Sequence, residues 1–92
     1  MYYILFYKTV ENYTEKRLPF RQEHLDLVKS SKEKGELILA GALSNPADGA
    51  VLVFKGDSAS AAENFALSNP YVKNGLITEW YVREWIVVTE NL

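Results

Sequence analysis

ELILAGALSNPADGAVLVF, residues 36–54, is the stretch that decides the fold. Glu36 to Leu43 is apolar and rich in branched residues, as is Ala50 to Phe54, and each has strand length. Between them Ser44, Asn45, Pro46, Ala47, Asp48 and Gly49 form a turn cluster of the residues that reverse a chain. Two strands joined by so short a connection pair antiparallel. Working outward, each side of this hairpin carries a helical segment, and beyond each helix lies one more strand.

On the N-terminal side, Pro19 suits a first helical turn, and the residue before it resists the helical conformation. The spacing predicts a helix from Pro19 to Lys34, with Gly35 as a left-handed cap. Val10 to Leu18 is polar, and before it YYILFY, residues 2–7, is an unbroken apolar strand. On the C-terminal side, a turn at residues 55–58 leads to a helix capped by Ser58 or Asp57, which turns Ala62, Phe65 and Ala66 inward. Asn69-Pro70 ends it, Tyr71 to Asn74 is a short irregular turn stopped by Gly75, and Leu76 to Val88 is a long last strand. The order β-α-β-β-α-β predicts an α+β domain of ferredoxin-like type, a four-stranded antiparallel sheet with both helices on one face.

Ninety-two residues, 48% hydrophobic and 24% charged, suit a single folded domain over 1–92 rather than a disordered chain. Acidic and basic residues are interspersed and sum to −2, so the basic face of a nucleic-acid binder is missing. With no cysteine and one histidine, neither a thiolate nucleophile nor a common zinc site is available, and no metal or organic cofactor is expected. The apolar start ends at Lys8, too soon for a signal peptide or membrane span. A cytoplasmic location without membrane attachment is the default expectation.

A sheet covered on one side normally alternates apolar and polar residues. Here Tyr2, Ile4 and Phe6 alternate with Tyr3, Leu5 and Tyr7, and Val51 and Val53 alternate with Ala50, Leu52 and Phe54. Trp80 and Trp85 fall on opposite faces of the last strand. An uncovered face of this kind exceeds the apolar patch usual on a monomer, so a homodimer packed through it is expected.

The inward stripe of the first helix is Phe20, His24, Leu27, Val28 and Ser31, with Arg21 and Leu25 at its margins. His24 sits near the centre of that stripe. One reading is a buried histidine bonded to a backbone carbonyl; the other is a general acid or base, since imidazole titrates near neutral pH. Arg21 either pairs with Glu15 or Asp26 or, like Arg17, holds an anion beside His24. Gly41, inside a strand, marks a close backbone approach, a bulge or turn strain.

Glu15-Lys16-Arg17-Leu18 followed by Arg21-x-x-His24-Leu25 resembles the Arg-x-x-His-Leu signature of YciI-like (YCII-related) proteins. Ala40-Gly41-Ala42-Leu43, Asp48-Gly49, Asn69-Pro70-Tyr71-Val72 and Gly75-Leu76 resemble further motifs of that family, in the same order along nearly the whole chain. The resemblance implies a dimeric ferredoxin-like α+β barrel with a pocket centred on a His–Asp pair proposed as catalytic. His24 matches the family histidine, whereas Asn69 stands at the aspartate position. Asparagine accepts a hydrogen bond from the ring but does not stabilise an imidazolium. The expected activity is acid–base chemistry by His24 on a small anionic organic molecule, with Arg17, Arg21, Asn69 and Tyr71 around it. The alternative is a non-catalytic small-molecule-binding or partner-subunit dimer, because Asn69 replaces the family aspartate. Asp48 discriminates the two, since by reaching His24 it would replace the missing carboxylate.

Overall fold

A computed structural model describes residues 1–92. Four strands, β1 (Tyr2–Thr9), β2 (Leu37–Ala42), β3 (Gly49–Lys55) and β4 (Ile77–Trp85), form one antiparallel sheet in the order β2-β3-β1-β4. Helices α2 (Arg21–Glu33) and α3 (Ser60–Ser68) connect β1 to β2 and β3 to β4. The ferredoxin-like α+β architecture predicted from the hairpin outward is the one observed.

Register fixes the two faces of the sheet. Tyr3, Leu5 and Tyr7 oppose Phe54, Leu52 and Ala50 on one side of β1 and Glu84, Val82 and Trp80 on the other. Leu5, Tyr7, Ala50, Leu52 and Phe54 form the core with Phe65, Ala62 and Ala66 of α3. Tyr3 is also buried, Trp80, Val82, Phe20, Leu27 and Val28 pack against the core, and Glu84 stays exposed. The other face carries Ile4, Phe6, Leu39, Val51, Tyr81 and Trp85, and there the C-terminal 3₁₀ turn Thr89–Asn91 reaches Tyr2, whose hydroxyl donates to Glu90. Phe6 and Tyr81 stack there at 4.9 Å, while Leu39 is 68% and Trp85 46% exposed.

Several boundaries differ from expectation. Leu18–Phe20 is a 3₁₀ turn, so α2 begins at Arg21 rather than Pro19; Gly35, at φ 77°, closes it as predicted. The segment read as polar contains a one-turn helix α1 (Tyr13–Lys16) whose Tyr13 is buried in the core. Neither Asp57 nor Ser58 caps α3 as expected: Ala59 holds the cap position without a side-chain bond, and Ser58 Oγ accepts from Ser60 N at 3.3 Å. Residues 71–74 are not irregular, because Pro70–Lys73 forms the one-turn helix α4 with Pro70 in its first turn. β4 stops at Trp85 instead of Val88, since Trp85 pairs with Tyr2 and β1 offers nothing beyond it.

Gly41 meets neither a bulge nor a close approach: it pairs regularly with Val51, and a Cβ there would meet nothing within 4 Å. The irregularity of β2 lies between Leu37 and Leu39. The close approach is at Gly49, where a Cβ would sit 2.8 Å from the Tyr7 carbonyl oxygen and 3.2 Å from Leu43 Cδ1. No helix is long and apolar enough to cross a membrane.

Candidate functional site

The site is built around Asn69, which ends α3 and begins α4 and is 0% exposed. Its extended backbone (φ −74°, ψ 124°) turns the side chain back along the new helix, where Oδ1 accepts from Tyr71 N at 3.0 Å as an N-cap. A backbone N–H only donates, so this bond identifies the amide oxygen and leaves Nδ2 facing the other way. Nδ2 donates to the Tyr7 hydroxyl of β1 at 2.9 Å.

His24 reaches the same amide from α2, with Nδ1 3.1 Å from Asn69 Oδ1. Because Oδ1 has no hydrogen to give, Nδ1 carries the proton and donates, and Nε2 is left with its lone pair. The partner is therefore a side chain, not the backbone carbonyl of the plainer reading. Tyr71 stacks on the imidazole at 4.0 Å and 12°, and Phe65 meets it edge-on at 6.4 Å. One hydrogen bond and two aromatic contacts thus hold the ring in plane and in tautomer.

Burial holds the His24 imidazole below its ordinary range; the Asn69 bond opposes this, and Arg21 and Arg17 push the same way as burial. Desolvation is the largest of these causes, and all but the Asn69 bond favour the neutral ring. Burial also drives the Tyr7 phenol well above its usual range, so its hydroxyl stays protonated.

Beside these groups lies a cavity of about 340 Å3, the size of a small-ligand site. Its lining includes the polar His24, Arg17, Arg21 and Tyr7 and the apolar Ala40, Ala42, Ala50 and Leu52, with Gly41. The structure thus brings His24, Arg17 and Arg21 to one cavity, with Asn69 directly behind the histidine. Tyr71, expected among ligand contacts, is 1% exposed and lies under the imidazole rather than on the cavity wall. Asp48 is not among the lining residues, and its backbone oxygen accepts from Thr9 N at 3.1 Å.

Neither arginine is neutralised. The single ion pair of the chain joins Lys8 and Glu79 at the surface, and Asp26 instead accepts from Gln22 Nε2 at 2.9 Å. Arg17 lies over the Tyr13 ring at 5.2 Å, and its Nε is buried with no partner. A buried cationic donor left unmet beside a cavity favours an acceptor within that cavity.

Tyr7 and Tyr13 are lining residues that the sequence reading did not single out. For Tyr7 the signal was incomplete: alternation places it on the same face as Leu5, but with both faces of the strand apolar nothing in the sequence marks that face as the one where a phenol needs a buried partner. Tyr13 gave none, being one aromatic in a polar stretch.

Among solved structures, the chain resembles 5-chloro-2-hydroxyhydroquinone dehydrochlorinase from Burkholderia phenoliruptrix AC1100, in complex with 2,5-dihydroxybenzoquinone. That match has a TM-score of 0.79 and 17% identity and covers 98% of each chain. It also resembles a dimeric ferredoxin-like protein from an uncultured marine organism, with a TM-score of 0.55 and 20% identity over 96% of this chain and 87% of that one. At these identities the likeness is one of fold. An uncharacterized protein of Haemophilus influenzae is 29% identical, over 90% of this chain and 94% of the relative. Residues 1–86, which hold every side chain of the site, match the YCII-related domain, and the chain belongs to that family.

Proposed function

We propose that the cavity binds a small organic anion and that His24 acts on it as a general base through Nε2. The observation that carries this reading is the Asn69–His24 bond, which leaves the basic nitrogen for a ligand. Arg17 and Arg21, without carboxylate partners, supply the charge that holds the anion. The dehydrochlorinase that shares this fold takes a small oxygenated ring, and a cavity of about 340 Å3 has room for a molecule of that kind.

Asn69 favours a second reading, a binding protein without turnover, because a neutral amide does not stabilise the imidazolium that proton abstraction produces. Under either reading the open face of the sheet packs against a second copy. Its exposed Leu39, Tyr81 and Trp85 support this, as does the likeness to a dimeric protein.

Binding is tested by titrating benzoate into the protein while following the His24 ring protons, which are unique in the NMR spectrum because the chain has one histidine. Benzoate is expected to shift them, and Arg17→Gln with Arg21→Gln to weaken its binding by about tenfold or more. Ring signals that ignore benzoate in the wild type would remove the anion-binding reading.

A further inference from the structure

The hydrogen-bond directions around Asn69 settle more than the tautomer of His24. Since Nδ2 donates to the Tyr7 oxygen, the phenol does not spend its own hydrogen on Asn69. Tyr7 lines the cavity together with His24, Arg17 and Arg21. The site therefore presents a protonated hydroxyl, a neutral imidazole nitrogen with a free lone pair, and two cations to one small volume. An aspartate at position 69 would reverse the arrangement. Having no N–H, it would accept the Tyr7 hydrogen and leave only phenolic lone pairs for a ligand. The asparagine is thus a change of polarity transmitted to Tyr7, as well as the loss of a charge beside His24.

We infer that the substrates are enolisable 2-oxo acids, with Tyr7 donating to the keto oxygen and Asn69 acting as the positioning residue that keeps the Tyr7 hydrogen for it. This rests on the acid–base reading of the cavity and adds the substrate class. Arg17 and Arg21 hold the carboxylate. His24 Nε2 removes a proton from the carbon next to the keto group. The C–H electron pair becomes the new C=C bond, and the carbonyl π pair moves to oxygen, where the Tyr7 O–H stabilises the enolate. The His24 imidazolium then returns its proton to the enolate oxygen, or to carbon in the reverse direction. The net change is keto–enol isomerisation, without oxidant, reductant or co-reactant. Stabilisation that a carboxylate would give the imidazolium is supplied instead at the developing oxyanion.

The probe is phenylpyruvate with the full chain in D2O, its benzylic hydrogens followed by proton NMR and its enol by absorbance. Exchange is expected with the wild type and lost in His24→Gln. Tyr7→Phe should lower kcat by about tenfold or more, with KM changed by less than about twofold. In an Asn69→Asp background the same Tyr7→Phe change should cost less than about twofold, because that hydroxyl hydrogen is already engaged. The lower limb of the kcat profile should move to higher pH in Asn69→Asp, as a carboxylate beside the ring raises its pKa. Benzoate perturbation of the His24 ring protons shows that Tyr7→Phe and Asn69→Asp keep the cavity, and perturbation of the amide signal of Gly41, a lining residue, shows the same for His24→Gln. Equal effects of Tyr7→Phe in the two backgrounds, or none in either, would overturn the role of Tyr7 and Asn69. A wild type that binds benzoate at His24 yet exchanges no phenylpyruvate hydrogen would overturn the substrate class and leave anion binding standing. A wild type that does neither removes both.

Discussion

Replacing Asn69 by alanine tests the centre of the site through stability alone. The side chain is 0% exposed and serves three groups: Tyr71 N–H at 3.0 Å, His24 Nδ1 at 3.1 Å and the Tyr7 hydroxyl at 2.9 Å. Loss of an asparagine N-cap costs about 1 kcal/mol. Leaving the His24 Nδ1–H unmet adds about 1 kcal/mol, the low end for a buried donor because the ring is only half-buried. The Tyr7 hydroxyl adds about 1 kcal/mol, so the expected loss is about 3 kcal/mol. Against about 5–14 kcal/mol for a domain of this length, that is a large fraction of the whole. Urea unfolding followed by tryptophan fluorescence measures it, since Trp80 packs against the core. With an m-value near about 1.5 kcal/mol/M, the midpoint should fall by about 2 M at fixed protein concentration. The double-mutant cycle with His24→Ala should show a coupling of about 1 kcal/mol. A loss no greater than about 1 kcal/mol, with no coupling, would mean that Asn69 is only a helix cap and the three-residue network does not exist.

Three further outcomes follow from the same structure. The folded chain binds a proton at His24 less readily than the unfolded chain does, so His24 contributes no penalty above its ordinary pKa of 6.5, and stability should decline as pH falls through 6.5 toward the lower folded value. Urea midpoints across that window should show the decline in the wild type and a flatter profile in His24→Gln. Sedimentation at micromolar concentration should show a dimer that Phe6→Lys or Trp85→Lys weakens and Lys32→Glu does not, and a 10.5 kDa monomer in the wild type would remove the sheet-to-sheet interface. Gly49→Ala should destabilise by about 1–3 kcal/mol, because its Cβ would meet the Tyr7 carbonyl oxygen at 2.8 Å, whereas Gly41→Ala, open within 4 Å, should change the unfolding midpoint little.

The fold was legible because its long elements carry unambiguous signals. The hairpin at residues 36–54, the Gly35 cap and the inward Ala62, Phe65 and Ala66 all appear as expected. What escaped was decided elsewhere in the molecule. One-turn helices such as Tyr13–Lys16 and Pro70–Lys73 are too short to show a period, and β4 ends where its partner ends. In the site, His24 stood out as an imidazole on an apolar stripe, and Asn69 through a family resemblance. Tyr7 did not, because a strand apolar on both faces hides which of its aromatics carries a polar duty. Its role depends on the direction of one amide 62 positions away in the chain. No local pattern encodes that.

The central position of β1 has a consequence for how the protein comes into being. Its two neighbours are β3 and β4, so the first strand of the sheet waits for partners that a growing chain delivers late. Contacts of such long sequence separation carry the loop-closure entropy that slows folding. Until they form, YYILFY offers a nascent polypeptide two bare edges and two apolar faces, the profile of a segment that chaperones shield. The bonds from Asn69 to His24 and Tyr7 span 45 and 62 residues, so the network behind the cavity needs parts of the chain that are far apart to have come together. A molecule that bound only the completed cavity would stabilise the native state by mass action, as a pharmacological chaperone does.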